Sequence, residues 1–272
     1  MKTVNVLLLF ILYSLNTSAK IFNVKIVCKE TEEPIAYCNI GIVGENIGTA
    51  SDADGKFSIY FNDTVKNEII KISSIGYHSL EMRMNDFLAL YKNGSVIYLK
   101  KEVADLQEVI IKPKTITHKH LGVLTKNPFP GLTFDTCLPG YETGVLMETK
   151  KDLTFIDSVQ INIAQCETDS IFFRINIYKY VNKEFINILD SAIYVCEPTS
   201  KIKDRRLRIN LSGRNITVTQ KFMVSVEILK SMGRHQLYFS GALTNKGYSR
   251  KTSQGNWKNE KVASAISAYV SY

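Results

Sequence analysis

The sequence predicts an all-β protein made of two successive β-sandwiches. Three observations point there. Apolar and polar residues alternate in short runs, as at Phe57, Ile59 and Phe61 or at Phe222, Val224, Val226 and Ile228. Gly, Pro, Asn and Asp gather between these runs, where turns are needed. The second half shows no convincing amphipathic helix. We read residues 20–112 as a seven-stranded β-sandwich, 113–128 as a linker, and 129–272 as a second antiparallel β-sandwich of jelly-roll type. A chain of 272 residues has room for two modest domains, and 45% hydrophobic with 22% charged residues excludes wholesale disorder. Neither the composition nor the formal charge of +8 identifies a reaction.

Residues 1–19 read as a signal peptide. Lys2 gives the positive start, and Val6–Leu15 is an apolar run interrupted only by Tyr13 and Ser14. Asn16-Thr17-Ser18-Ala19 then supplies the small residues of a cleavage region. The run is short for a bilayer span, and an uncleaved anchor is the competing reading. No later stretch reaches the ~18 apolar residues of a membrane helix, so no transmembrane segment is expected in the mature chain. The expected address is exported: periplasmic, outer-membrane-associated or secreted.

All five cysteines (Cys28, Cys38, Cys137, Cys166 and Cys196) lie beyond that segment. Export permits disulfides, and an odd number leaves at least one thiol over. Cys28 and Cys38 flank a predicted turn and are spaced to face each other across a hairpin. The alternative is that all five pack as small buried apolar residues. No Cys-x-x-Cys occurs, so neither a zinc ribbon nor a thioredoxin site is indicated.

Within the first sandwich, Phe22–Cys28 alternates as a strand and Glu30–Pro34 is a polar turn. Ile35–Val43 is a second strand, and Gly48–Ser51 leads into the turn Asp52-Ala53-Asp54-Gly55, whose Gly can take positive φ. Lys56–Phe61, Glu68–Ser73, His78–Met84, Val96–Lys100 and Glu108–Ile111 complete the seven strands. Asn85–Leu90 reads as a single helical turn.

Three pieces of this stretch resemble a family. Glu33-Pro34-Ile35, then Gly48-Thr49-Ala50-Ser51-Asp52-Ala53-Asp54-Gly55-Lys56-Phe57-Ser58-Ile59, then Ile72-Ser73-Ser74-Ile75-Gly76-Tyr77 are similar to the carboxypeptidase-like regulatory domain. Leu106–Ile111 is similar to its last strand. The resemblance covers residues 20–112 and implies a transthyretin-like sandwich. Such domains occur beside metallocarboxypeptidase catalytic domains and at the N-termini of bacterial TonB-dependent outer-membrane receptors. The resemblance implies an accessory module with no catalytic residues to carry over. The residues that follow are too few for a receptor barrel and contain no His-x-x-Glu pair.

Pro113, Pro128 and Pro130 bracket a polar, basic stretch with little alternation, which marks the linker. Beyond it, Ser158–Ala164, Phe172–Tyr178, Ile188–Val195, Arg206–Leu211, Phe222–Leu229, Gln236–Phe239 and Ala263–Val270 read as strands, in a set of about eight. Asn182-Lys183-Glu184 reads as a turn.

The candidate chemistry is thin. Asp52-x-Asp54-Gly55 suggests a calcium loop, yet Ala50 stands where the first ligand belongs and the strand after Gly55 brings no Glu; a hairpin turn is favoured. His118-x-His120 has no nearby Cys or carboxylate to complete a metal site. Lys201, Lys203, Arg205, Arg206 and Arg208 form a basic cluster, read as a solvated hairpin over a phosphate, glycan or membrane contact. Trp257, the single Trp, lies near Tyr248 and Arg250 in a Gly/Asn/Ser-rich stretch; the three form a possible sugar-binding platform, with a buried loop anchor favoured for the Trp. Arg174 and Glu227 sit opposite the apolar rows of their strands and are placed to pair across a sheet. No Gly-x-Ser-x-Gly elbow or assignable Ser-His-Asp set exists. The expectation is a non-enzymatic, exported binding or scaffolding protein of the bacterial cell envelope, with no catalytic residue, cofactor or metal. Its expected partner is an envelope protein or a glycan, not nucleic acid. A carbohydrate-binding module is the alternative, and an unrecognised hydrolase the third.

Overall fold

The computed structural model describes residues 20–102, 116–127, 132–133, 138–151, 153–232 and 236–272. The expected signal peptide, the expected strand Glu108–Ile111, the three bracketing prolines and Cys137 lie outside these residues.

The first module contains β1 (Lys20–Cys28), β2 (Asn39–Ile42), β3 (Gly48–Ala50), β4 (Lys56–Phe61), β5 (Ile69–Ser73), β6 (Leu80–Arg83), helix α1 (Met84–Leu90) and β7 (Val96–Leu99). These strands form a three-stranded sheet, β4-β1-β7, packed on a four-stranded sheet, β3-β2-β5-β6. Period-two alternation explains why. Phe22, Val24 and Ile26 of β1 and Phe57, Ile59 and Phe61 of β4 all point inward, against Ile40, Ile42, Ile70 and Ile72 of the facing sheet. Met84 and Phe87 of α1 close one end of that core, with Phe87 edge-on to Phe22 at 5.3 Å. Burying one such ring is worth roughly 1.5–3 kcal/mol.

Three details differ from the sequence expectation. The pair β1–β7 is parallel, not antiparallel. The intervening strands and α1 provide the long crossover that a parallel pair needs. The expected strand Ile35–Val43 enters the sheet only at Asn39, because Tyr37 adopts a left-handed backbone (φ 55°). And Gly48–Ala50, expected only as a lead-in to a turn, pairs with β2.

The second module contains β8 (His118–Gly122), β9 (Leu132–Thr133), β10 (Glu142–Glu148), β11 (Thr154–Cys166), β12 (Ser170–Val181), β13 (Glu184–Asn187), β14 (Ile193–Pro198), β15 (Arg206–Asn210), β16 (Thr217–Val218), β17 (Lys221–Ile228), β18 (Leu237–Phe239), β19 (Gly241–Arg250), β20 (Lys258–Ser264) and β21 (Ile266–Ser271). They form two seven-stranded sheets. One runs β13-β12-β17-β10-β19-β20, with β14 also on β12; the other runs β8-β21-β11-β18-β9, with β15 and β16 also on β11. Phe173, Ile175, Ile177, Val224, Val226 and Ile228 of the first sheet meet Val159, Ile161, Ile163, Ala268, Val270 and Phe239 of the second in one core.

This second sandwich has more strands than the alternation revealed. β9 and β16 are too short to show a period, and β20 (Lys-Asn-Glu-Lys-Val-Ala-Ser) is polar over its first four positions. The run Ile188–Val195 is not one strand. Asn187 Oδ1 accepts from Leu189 N at 3.0 Å, ending β13, and pairing resumes only at Ile193. Within the stretch expected as a linker, β8 pairs antiparallel with β21, so His118 and His120 belong to a sheet edge.

Candidate functional site

The outer face of the β12-β17-β10-β19 sheet is polar, yet buried. In the core the even-spaced apolar side chains of these strands point inward. The alternate positions therefore carry Arg174, Asn176 and Tyr178 on β12, Ser225 and Glu227 on β17, Glu142 on β10 and Arg250 on β19. Strand register aligns four of them directly: Arg174 is opposite Glu227, Glu227 opposite Glu142, and Glu142 opposite Arg250. A straight Arg–Glu–Glu–Arg row thus crosses four strands.

Each carboxylate is held by the arginine beside it. Arg174 donates to Glu227 Oε2 from Nε at 3.1 Å and from Nη2 at 2.7 Å, and Asn176 Nδ2 donates to the same oxygen at 2.8 Å. Glu142 accepts from Arg250 Nε at 2.8 Å, from Asn176 Nδ2 at 2.9 Å, from Tyr178 OH at 3.0 Å and from Ser225 Oγ. Burial pushes the Glu227 carboxyl up, but Arg174, Arg250 and the hydrogen bonds from Arg174 and Asn176 outweigh it and hold it below the usual carboxylate range. Burial and the neighbouring Glu142 charge lift the Tyr178 phenol well above its ordinary value, so it donates as a neutral hydroxyl. Glu227 Oε1 is buried without a hydrogen-bond partner among the described residues, which for a charged group is a strained state.

The first module covers the Arg174 end of this row, and Trp257 of the second module lies against Arg250 at the other. Arg174 Nη1 donates to the Tyr37 carbonyl at 2.9 Å and Nη2 donates to Asn39 Oδ1, so one guanidinium joins the two modules. The Tyr37 ring packs on Phe172 at 5.1 Å and Tyr194 at 5.4 Å. Residues 252–256, between β19 and β20, dock on the β2–β3 turn. Gly44 N donates to the Gln254 carbonyl at 3.0 Å, Asn256 Nδ2 to the Gly44 carbonyl at 2.7 Å, and Gln254 Nε2 to Ser73 Oγ at 2.9 Å. Gly41 and Gly48 make room: a Cβ on either would stand 2.2 or 2.4 Å from the Ser253 carbonyl.

The seam leaves a cleft of about 470 Å³ beside the charge row. Arg174, Asn176, Tyr178 and Arg250 line one side, Phe185 and Asn187 of β13 another, and Ser73–Tyr77 of the first module the third. Among the described residues no group of three or more His, Cys, Asp or Glu is arranged to hold a metal ion.

The sequence-selected residues fall as follows. Trp257, Tyr248 and Arg250 do come together. The Arg250 guanidinium lies over the Trp257 ring at 4.9 Å, and Phe185 is edge-on to both Trp257 (5.4 Å) and Tyr248 (5.0 Å). One face of the half-buried Trp257 is therefore covered by its own chain. The Gly/Asn/Ser-rich stretch that suggested a ligand loop is the docking loop. Arg174 and Glu227 pair, as their strand positions implied. Glu142, Asn176 and Tyr178 were missed: Asn176 and Tyr178 alternate with the apolar row of β12, Glu142 stands beside a Thr-Gly pair, and only the register joins them.

Elsewhere, Asp52 Oδ1 accepts from the backbone N of Asp54 (2.9 Å) and Lys56 (2.8 Å), the hydrogen-bonding of a turn. His118 stacks on Tyr269 at 5.1 Å and lies 3.6 Å from Asp157. The basic cluster is an exposed hairpin tip: Lys203 bridges to Arg206 around Asp204 and Arg205, both at positive φ. Cys28, Cys38, Cys166 and Cys196 are all free thiols, so the Cys28–Cys38 bridge is absent. The first two are buried and Cys196 is exposed, so only part of the set follows the buried-apolar alternative. One His-x-x-Glu does occur, in the first module: His78-Ser79-Leu80-Glu81. Glu81 is paired with Lys71 at 2.6 Å.

Two facing sheets of three and four strands make the first module a small β-sandwich. Residues 25–111 match the family model of the CarboxypepD_reg-like domain, and the first module is a domain of that kind. No curated protein matches the sequence. Among solved structures, the chain is similar to the cysteine protease and lectin-like domains of Cwp84, a surface layer associated protein of Clostridium difficile. The identity is 8% and the TM-score 0.39, over 86% of this chain and 58% of that one. A similarity at that level says nothing of activity. No helix among the described residues is long and apolar enough to cross a membrane.

Proposed function

We propose that this is an exported, non-catalytic binding or scaffolding protein of the bacterial cell envelope, and that it holds its partner at the seam between its modules. One observation carries the reading: the seam cleft is walled by both modules and lies against a buried charge row. Ligand clefts form preferentially at such domain interfaces. Arg174 holds the Glu227 carboxyl below the usual range and, with Asn176, hydrogen-bonds it, so the row presents fixed, paired charges along the cleft. The apolar run of residues 1–19 and the accessory module support the envelope address.

The test places a photo-crosslinking residue at Ile186, an exposed position lining the cleft, and a second at Lys201 on the basic hairpin. Crosslinking in exporting cells should give one envelope component from position 186 and not from 201. Equal capture from both positions, or hydrolysis of a peptide, ester or glycoside panel by the purified protein, would overturn the reading. The carbohydrate-module alternative at Trp257, Tyr248 and Arg250 is separated by a glycan array probed with wild type and Trp257→Ala. Binding by wild type that disappears in the variant favours it.

A further inference from the structure

A second, larger cleft of about 680 Å³ opens at the seam away from the charge row. The outer face of the β4-β1-β7 sheet forms one wall, and the segments flanking β10 and β17, at Pro139 and Leu229–Ser231, form the other. Three lysines line it: Lys25 on β1, Lys56 on β4 and Lys230 after β17. Lys25 and Lys56 are direct cross-strand partners. Like charges placed directly opposite each other disfavour a sheet, so this pair works against the fold that carries it. Lys230 then brings a third ammonium from the other module.

The counter-charges are weak. Asp52 is the one acid among the described lining residues, and its Oδ1 is engaged by two backbone amides. Asp54 lies 3.9 Å from Lys56, with both side chains mostly in solvent, where such pairs contribute little. Neither Lys25 nor Lys230 has an ion-pair partner among the described residues. Hydroxyl and amide groups also line the cleft: Asn23 and Ser58, opposite each other on the same strands with Ser58 Oγ donating to Asn23 Oδ1, and Ser231.

We propose that this cleft binds an anionic glycan, with the three ammoniums on its carboxylates and the Asn23, Ser58 and Ser231 groups on its ring hydroxyls. Positive charge from two modules faces into one cleft, and an anion lying between Lys25 and Lys56 offsets the unfavourable placing of two lysines at directly opposed strand positions. The volume of the cleft lies within the roughly 300–1,000 Å³ of ligand-binding clefts. The inference goes beyond the seam-cleft reading, so either can fail alone.

Calorimetry on the exported protein decides it, with trigalacturonate, its methyl ester and inorganic phosphate as probes. Trigalacturonate should bind, and the uncharged ester roughly tenfold or more weakly. Raising salt from about 0.05 to 0.5 M should weaken binding, since exposed ammoniums are screened over that range. Lys25→Gln/Lys56→Gln and Lys230→Gln should each lower affinity by roughly tenfold, while Lys201→Gln/Lys203→Gln in the hairpin leaves it unchanged. The double variant removes a repulsion, so its Tm should equal or exceed wild type, which separates lost binding from lost folding. No binding of trigalacturonate, equal binding of the ester, displacement by phosphate at matched concentration, or equal loss in the hairpin variant would each overturn the proposal.

Discussion

Arg174→Met tests whether the charge row fastens the modules together. The methionine fills similar volume but leaves Glu227 buried without its main cation, and it frees the Tyr37 carbonyl and Asn39 Oδ1. Breaking one side of a buried ion pair costs about 3–5 kcal/mol. The lost contacts to the first module overlap with that figure rather than adding fully to it, so about 4–6 kcal/mol is expected. Adding Glu227→Gln removes the stranded charge while keeping an acceptor for Asn176. The double variant should then recover to within about 1–3 kcal/mol of wild type, the value of the charge-assisted bonds to Tyr37 and Asn39. Urea unfolding followed by Trp fluorescence reads the seam directly, because the single Trp, Trp257, packs under Arg250 of the same row. The pH response has a definite sign. Glu227 is depressed in the folded state, so its stabilising contribution is present above its unfolded pKa of about 4.3 and is lost as pH falls through the folded value. Arg174→Met removes the main cause of the depression and leaves burial opposed only by Arg250 and Asn176, so the variant's deficit should shrink as pH drops and Glu227 takes up a proton. A single variant costing under about 1 kcal/mol, or a double variant no better than the single, would refute the fastening argument.

Three further outcomes follow from the same geometry. Gly41→Ala should lower stability by about 1–3 kcal/mol, because its Cβ meets the Ser253 carbonyl at 2.2 Å, while Gly213→Ala, with open space around it, should be neutral in urea unfolding. Iodoacetamide labelling with peptide mapping should modify Cys196 first and leave Cys38 untouched in the native protein. Burial raises the Cys38 thiol to about 11, so it stays protonated and inaccessible at neutral pH. Trp257→Ala should destabilise the docking loop by about 3–5 kcal/mol if the ring anchors it, read as earlier proteolysis within residues 251–257.

Much of the first module was legible because strands such as β4 and β7 have one wet face. Lys56–Phe61 alternates cleanly, and its boundaries in the structure are those the alternation gives. The second module hid more. Its sheet beside the first module is buried on both faces, so the residues of β12 outside the apolar row look like isolated polar interruptions. Nothing local marks Asn176 or Glu142 as neighbours, since 34 positions separate them and only register brings them together. The loop at 252–256 left two readings open for a related reason. Gly, Asn and Ser suit a ligand-binding turn and a close backbone approach equally well, and the sequence does not say that the approaching backbone belongs to the β2–β3 turn. Arg174 and Glu227 were the exception, because two charges opposite apolar rows invite pairing.

The charge row also explains why the two modules meet at one place. An apolar interface between two sandwiches tolerates sliding, since any apolar contact of similar area is nearly as good. A buried Arg–Glu–Glu–Arg row does not. Shifting the first module by one residue would take Tyr37 and Asn39 away from the Arg174 guanidinium and leave its Nη1 unpaired inside the protein, at a cost of several kcal/mol. The row therefore adds little net stability over a well-packed apolar seam but penalises every wrong docking. Both clefts take their walls from both modules, so each exists only in the docked register. Replacing Arg174 and Glu227 together by Met and Leu separates the two effects. Stability should fall little or rise, while the walls of both clefts lose their fixed spacing. Trigalacturonate binding should then weaken although Lys25, Lys56 and Lys230 are untouched, and unchanged binding in a variant that stays folded would show that the row does not set the register.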